Sequence, residues 1–310
     1  MMRSIEEERA RLTTRAAVAS VTLALVLLLA KGWAALVTGS TAMLGSLADT
    51  ALDLVAGIAT LTGVRIAALP ADDDHRFGHG KAEALVALGQ VVLITVSALY
   101  IGWQAMRRLA QGGETQSMEL GIAVSLLAIV ATLLLITYQG RVIARTGSVA
   151  IRTDRIHYQS DLMLNVAVIA ALLLDQAGGI RGADAVFGLA ISVWLLFGAW
   201  RASSQSVNQL MDKEWPEAER ARFLEAASEY PELTGLHDLR TRKSGTHQFA
   251  QFHVWVPADW TIREAHDRID PVEEALQLRF PGTEFLIHLD PEGHIDRETM
   301  LPSKLTESTP

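Results

Sequence analysis

Residues 41–69 read TAMLGSLADTALDLVAGIATLTGVRIAAL. The stretch is long and apolar enough to cross a bilayer core of about 30 Å, which takes roughly 20 helical residues. Yet Asp49 and Asp53 sit in its interior, four residues apart. Residues 149–175, VAIRTDRIHYQSDLMLNVAVIAALLLD, repeat the pattern with His157 and Asp161. At i,i+4 spacing two side chains share one helix face, roughly 6 Å apart. Two such helices facing each other offer four N and O ligands to one point, a set that suits tetrahedral zinc. A charge at mid-bilayer costs about 2.5–3.5 kcal/mol on insertion scales, so three carboxylates there imply a functional pathway rather than idle acids. His157 and Asp161 lie nearer a span end, where hydrated, idle side chains are the competing reading.

Working outward, six segments have the length and composition of spans: about 14–37, 41–69, 82–110, 118–143, 149–175 and 183–206. The N-terminus is charged in both signs, and the apolar run after it is too long for a cleavable signal, so it reads as the first span. Short-loop basic residues set orientation. Arg3, Arg9, Arg11 and Arg15, then Arg76 and Lys81, then Arg141, Arg145 and Arg152, then Arg201 and Lys213 fall on one side. Both termini are therefore expected in the cytoplasm, in a multi-pass protein of the cell inner membrane. Arg107, Arg108 and Arg181 are on the other side; the Arg107–Arg108 pair and Lys31 are expected to snorkel to the far interface.

Composition changes after the last span. Basic and acidic residues balance over 1–211, whereas acidic ones dominate 212–310, so the formal charge of −8 lies in the tail. An acidic tail excludes nucleic acid as a natural partner and suits a domain that meets cations. There is no cysteine, so any transition-metal ligand is His or carboxylate. The tail alternates as a helix over 216–229, strands over 235–243 and 247–256, a helix over 261–279 and a strand over 284–290. This αββαβ order fits a compact α+β domain. The expected domains are 1–211 (six-helix membrane bundle), 212–293 (cytosolic metal-binding domain) and 294–310 (disordered tail).

Two further clusters carry metal-ligand chemistry. Asp72, His75 and His79 lie in the loop after span 2, where a solvated turn is the equal alternative. In the tail, His237, His253, His266 and His288 fall in different elements. His288 and Asp290 share one strand face because they are two apart.

These residues resemble the cation diffusion facilitator family, and more closely its bacterial zinc and ferrous-iron efflux subgroup. The similarity covers nearly the whole chain through GSTAMLGSLADTALD (39–53), DDDHRFGHGKAE (72–83), HYQSD (157–161), HDLRTRKSG (237–245) and IHLDP (287–291). The resemblance implies a homodimer of six-helix protomers, each with a cytosolic ferredoxin-like domain, that exports divalent metal against inward protons. It places a transport site on Asp49, Asp53, His157 and Asp161, and a loop site on Asp72, His75 and His79. It also places a two-metal site at the tail dimer interface on His237, His253, His266, His288 and Asp290. Lys81 and Asp212 match an ion pair between the two domains, and Ile156 matches a hydrophobic gate beside His157. Ile156 also reads as a lipid-facing or packing residue.

The chemistry is consistent with exchange. Metal ligands bind deprotonated, so protons and metal compete for them, and imidazole titrates near cellular pH. One His with three carboxylates favours Zn2+ as substrate and regulatory ligand, and accommodates Cd2+; Fe2+, Co2+ and Ni2+ remain open, while manganese is disfavoured. An intramembrane metalloenzyme would need a general base, and no HExxH motif is present. A membrane-anchored sensor would need only one span. An organic-solute carrier would leave the tail histidines unexplained.

Overall fold

The computed structural model describes residues 2–38, 41–111, 122–178, 183–245 and 247–292. Two units separate, residues 8–208 and residues 209–310 with 1–7. The expected tail beyond residue 293, with His294, lies outside the described residues, as do Arg181 and the side chains of Arg108 and Asn165.

The first unit is built from α1 (Met2–Thr38), α2 (Thr41–Ala67), α3 (Ala82–Gln111), α4 (Ile122–Thr146), α5 (Val149–Gly178) and α6 (Ala183–Leu210). Five of them hold stretches long and apolar enough to cross a membrane. The exception among the described helices is α5. Its first half carries Arg152, Asp154, Arg155, His157 and Asp161, and this polar half packs on α2, α3 and α4. A helix with so many ionisable groups can lie at membrane depth only where protein or water meets them. The outer faces carry Leu29, Trp33, Leu134, Val193 and Trp200, all exposed, as lipid contact requires.

The start of α5 is fixed tightly. Gly147 at φ 70° caps α4, its N–H donating to Ile143 O at 2.8 Å. Ser148 then opens α5 by accepting from the Ile151 N–H at 3.3 Å. The buried carboxylate of Glu83 on α3 accepts from Ser148 Oγ at 2.7 Å and from the first amides of α5. An anion at a helix N-terminus satisfies its free N–H groups and its dipole.

Small residues set the helix spacing, as in other membrane bundles. A Cβ at Gly63 of α2 would overlap Val86 Cγ2 of α3 and stand 2.9 Å from Val86 Cβ. Gly63→Ala is therefore expected to destabilise the bundle by about 1–3 kcal/mol, the usual cost of overpacking. Melting of the detergent-solubilised protein measures this, and Val86→Ala in the same chain should recover most of the loss.

The second unit contains α7 (Glu217–Ala227), a 3-10 turn (Pro231–Leu233), β1 (His237–Ser244), β2 (His247–Val256), α8 (Ile262–Arg279) and β3 (Thr283–Pro291). This is the αββαβ order that the alternation predicts. The sheet order is β1-β2-β3, with β1/β2 antiparallel and β2/β3 parallel, joined by α8. One sheet face buries Leu239, Ala250, Phe252, Val254 and Phe285 against Phe223 of α7 and Ile269, Val272 and Leu276 of α8. Thr261 and Glu264 form a reciprocal capping box at the start of α8. The other face carries the histidines and Trp255, with Leu286 exposed beside them.

Candidate functional site

In the helical unit, α2 and α5 meet where both i,i+4 pairs lie. His157 Nε2 is 2.8 Å from Asp53 Oδ1 and 3.9 Å from Asp161 Oδ2. One ligand atom from each of the three residues lies within 4.8 Å of the others. A tetrahedral zinc with bonds near 2.0 Å spaces its ligand atoms about 3.3 Å apart, so the set is close to closed around an ion. All three side chains are largely buried, at 17–35% exposure. Asp49 does not join this trio and is exposed one turn earlier on α2.

Two residues the sequence reading missed or misplaced stand beside the trio. Asp154, three residues before His157 on α5, is 1% exposed. Its Oδ2 accepts from Ser20 Oγ of α1 and from Gln139 Nε2 of α4, both at 2.7 Å. Its Oδ1 accepts from Gln90 Nε2 of α3 at 3.3 Å, and the same amide donates to Thr60 of α2. One carboxylate thus ties five helices together directly or through one amide. A further carboxylate among Arg152, Arg155, His157 and Asp161, in the same short segment of span 5, was the available signal. The second is Lys31, expected to snorkel. Instead, its Nζ donates to Thr50 Oγ1 at 2.7 Å, turning back toward Asp49.

Ile156 is half-buried against a cluster of Ile94, Ile191 and Leu195, and a Cβ at Gly198 of α6 would stand 3.4 Å from its Cγ2. It packs α5 on α3 and α6.

The loop cluster is a formed turn. Asp72 Oδ1 accepts from the backbone N–H of His75 at 2.7 Å and of Asp74 at 3.1 Å. The His75 amide above all holds the Asp72 carboxyl below its ordinary range. His75 Nδ1 is 3.3 Å from Asp72 Oδ1, and His79 Nε2 is 3.4 Å from Asp72 Oδ2. The two rings are 4.4 Å apart, so all three predicted residues converge.

In the tail, strand register does the assembling. His237 of β1 pairs with His253 of β2, which pairs with His288 of β3. Asp290 lies beneath them. Its Oδ2 is 2.8 Å from His253 Nδ1 and 3.4 Å from His237 Nε2, and its Oδ1 is 3.4 Å from His288 Nε2. Burial pushes the Asp290 carboxyl up, but the His253 hydrogen bond and the three imidazoles outweigh it and hold the carboxyl below its ordinary 3.8. A lowered value stabilises the fold above pH 3.8, and that contribution is lost as acid protonates Asp290 below it. His266 is not part of this set. It is exposed on α8, with Nδ1 2.9 Å from Asp270 Oδ2. Asp212, in the same unit, adopts φ 54° and lies 3.7 Å from Arg242 Nη1.

Residues 17–211 match the cation efflux transmembrane domain, and residues 215–292 match the cytoplasmic domain of cation efflux proteins. Similar proteins include the cation-efflux pump FieF of Salmonella arizonae, 40% identical over 93% of this chain and 96% of that one. FieF of Yersinia pestis is 41% identical over 95% of this chain and 98% of that one. A solved chain of CzrB in its zinc form is 36% identical, covers 28% of this chain and 99% of its own, and has a TM-score of 0.25. The domain matches, the full-length relatives and the apolar helices agree: the chain is a membrane protein of the cation diffusion facilitator family, a transporter rather than an enzyme.

Proposed function

We propose that this protein exports divalent transition-metal cations from the cytoplasm, Zn2+ first, in exchange for protons. Cd2+ and Fe2+ are the next candidates. The observation that carries this reading is the meeting of Asp53, His157 and Asp161 between two helices of a membrane bundle. Membership of the family and the names of the FieF relatives support efflux of metal cations. The ligand set supports zinc, because imidazole with carboxylates suits it and no thiolate is present. Exchange for protons follows from shared ligands: an empty site takes up protons and a loaded site has shed them. Asp49 completes the transport site on this reading, by a movement of α2 or of its own side chain.

The protein acts as a homodimer in the cell inner membrane, with both termini cytoplasmic. The histidine face of the tail binds two zinc ions there and brings two tails together, with exposed His266 as a further ligand. Asp72, His75 and His79 form the loop site, Lys81 with Asp212 forms the ion pair between the domains, and Ile156 serves as the gate.

Zinc flux in proteoliposomes under an imposed pH gradient tests the exchange. Flux should rise with a proton gradient directed against zinc movement, and flux indifferent to the gradient would rule out antiport. For the tail, His237→Ala is expected to lower the zinc bound per full-length chain at equilibrium, measured by metal analysis after dialysis. Unchanged stoichiometry would remove His237 from the ligand set.

A further inference from the structure

A lysine near the end of a spanning helix ordinarily stretches its ammonium to the interface. Lys31 lies near the end of the apolar span Glu7–Trp33 and does the opposite. Its ammonium is 2.7 Å from the hydroxyl of Thr50, a residue 1% exposed and adjacent to Asp49. Thr50 follows Asp49 on α2 and precedes Asp53 by three residues, so the ammonium reaches the helix that carries both acids. A third helix, α1, thus sends a positively charged side chain to α2, the helix whose Asp53 converges with Asp161 among the described residues.

Resting on the transport-site reading above, we propose that Lys31 is a tethered counter-cation of that site, holding the acids when no metal is bound and staying beside them to oppose the divalent ion that enters. The charges make the role specific. Asp49, Asp53 and Asp161 bring three negative charges; a divalent ion and one ammonium balance them. Without the lysine, the loaded site keeps a net negative charge and holds its ion more tightly. Such a site fills readily and empties slowly. Lys31 therefore trades affinity for release, which a transporter needs and a storage site does not.

Lys31→Gln removes the charge and keeps a polar chain; Lys31→Met removes both. At about pH 8, well above the carboxylate range, each is expected to lower the zinc KM at least tenfold and lower Vmax in parallel. A unit charge near a divalent ion, in a medium of effective dielectric about 20, is worth at least that factor. Lys31→Arg should restore the parent KM. A lysine that only braced α1 against α2 would lower Vmax on removal without lowering KM. An unchanged or raised KM in Lys31→Gln, or in Lys31→Met should the first fail to fold, overturns the proposal. Asp161→Ala in the same assay keeps the two readings apart. Loss of saturable uptake there, with an unchanged KM in the lysine variants, sinks only the counter-cation role. Retained uptake sinks the transport site itself.

Discussion

Asp161→Ala is expected to lower zinc transport at least about 100-fold, beyond the usual cost of losing a mere outer partner of a metal ligand. Asp161 supplies one of three ligand atoms within 4.8 Å of one another, and its removal leaves His157 and Asp53 as a pair. Two ligands from two helices do not close a tetrahedral zinc site. Asp49 cannot substitute from its own position, since it does not join the trio. Zinc uptake into proteoliposomes, read with an entrapped zinc indicator, measures the effect. Transport within about twofold of the parent would remove Asp161 from the site; 1.4 kcal/mol of lost binding would already show as a tenfold change.

Asp154→Ala is expected to cost about 3 kcal/mol or more, and to lower transport through loss of the fold rather than of a ligand. Its carboxylate accepts from Ser20, Gln139 and Gln90, which are 0–3% exposed. Removing it takes one acceptor from each of three buried donors, which keep only Ala16 O, Ser20 Oγ and Thr60 Oγ1 as partners; at roughly 1 kcal/mol per lost bond, the three together cost about 3 kcal/mol. Asp154→Asn should be far milder. The amide oxygen can keep the Ser20 and Gln139 bonds, and Gln90 can turn its amide to present Oε1, which has no partner in the parent. Thermal melting of the solubilised protein tests both. Equal losses for Ala and Asn would show that the negative charge, rather than the hydrogen bonds, holds the node.

What the sequence discloses here depends on how local the signal is. Asp53, His157 and Asp161 are legible because i,i+4 spacing in an apolar helix is local geometry. The histidine face of the tail is legible in part: strand alternation puts His288 and Asp290 on one side. The register that aligns His237, His253 and His288 needs β3 to join the β1–β2 hairpin in parallel across α8, a pairing distant in sequence. The direction of Lys31 was not legible, because a lysine near a span end reaches either outward or inward, and only its hydrogen bond to Thr50, on another helix, decides. Asp154 was passed over for a related reason. Its partners, Ser20, Gln90 and Gln139, look like ordinary polar residues of three other spans until the bundle assembles them. Asp49 shows the converse: the spacing is right, yet the helix places it away from the trio.

Anomalous scattering at the zinc edge from crystals of the zinc-loaded protein tests the central claim most directly. The expected result is a zinc ion between α2 and α5, bound by His157 Nε2 and the carboxylates of Asp53 and Asp161 at about 2.0–2.2 Å. Zinc confined to the loop and tail clusters, with none at the α2–α5 junction, would contradict it.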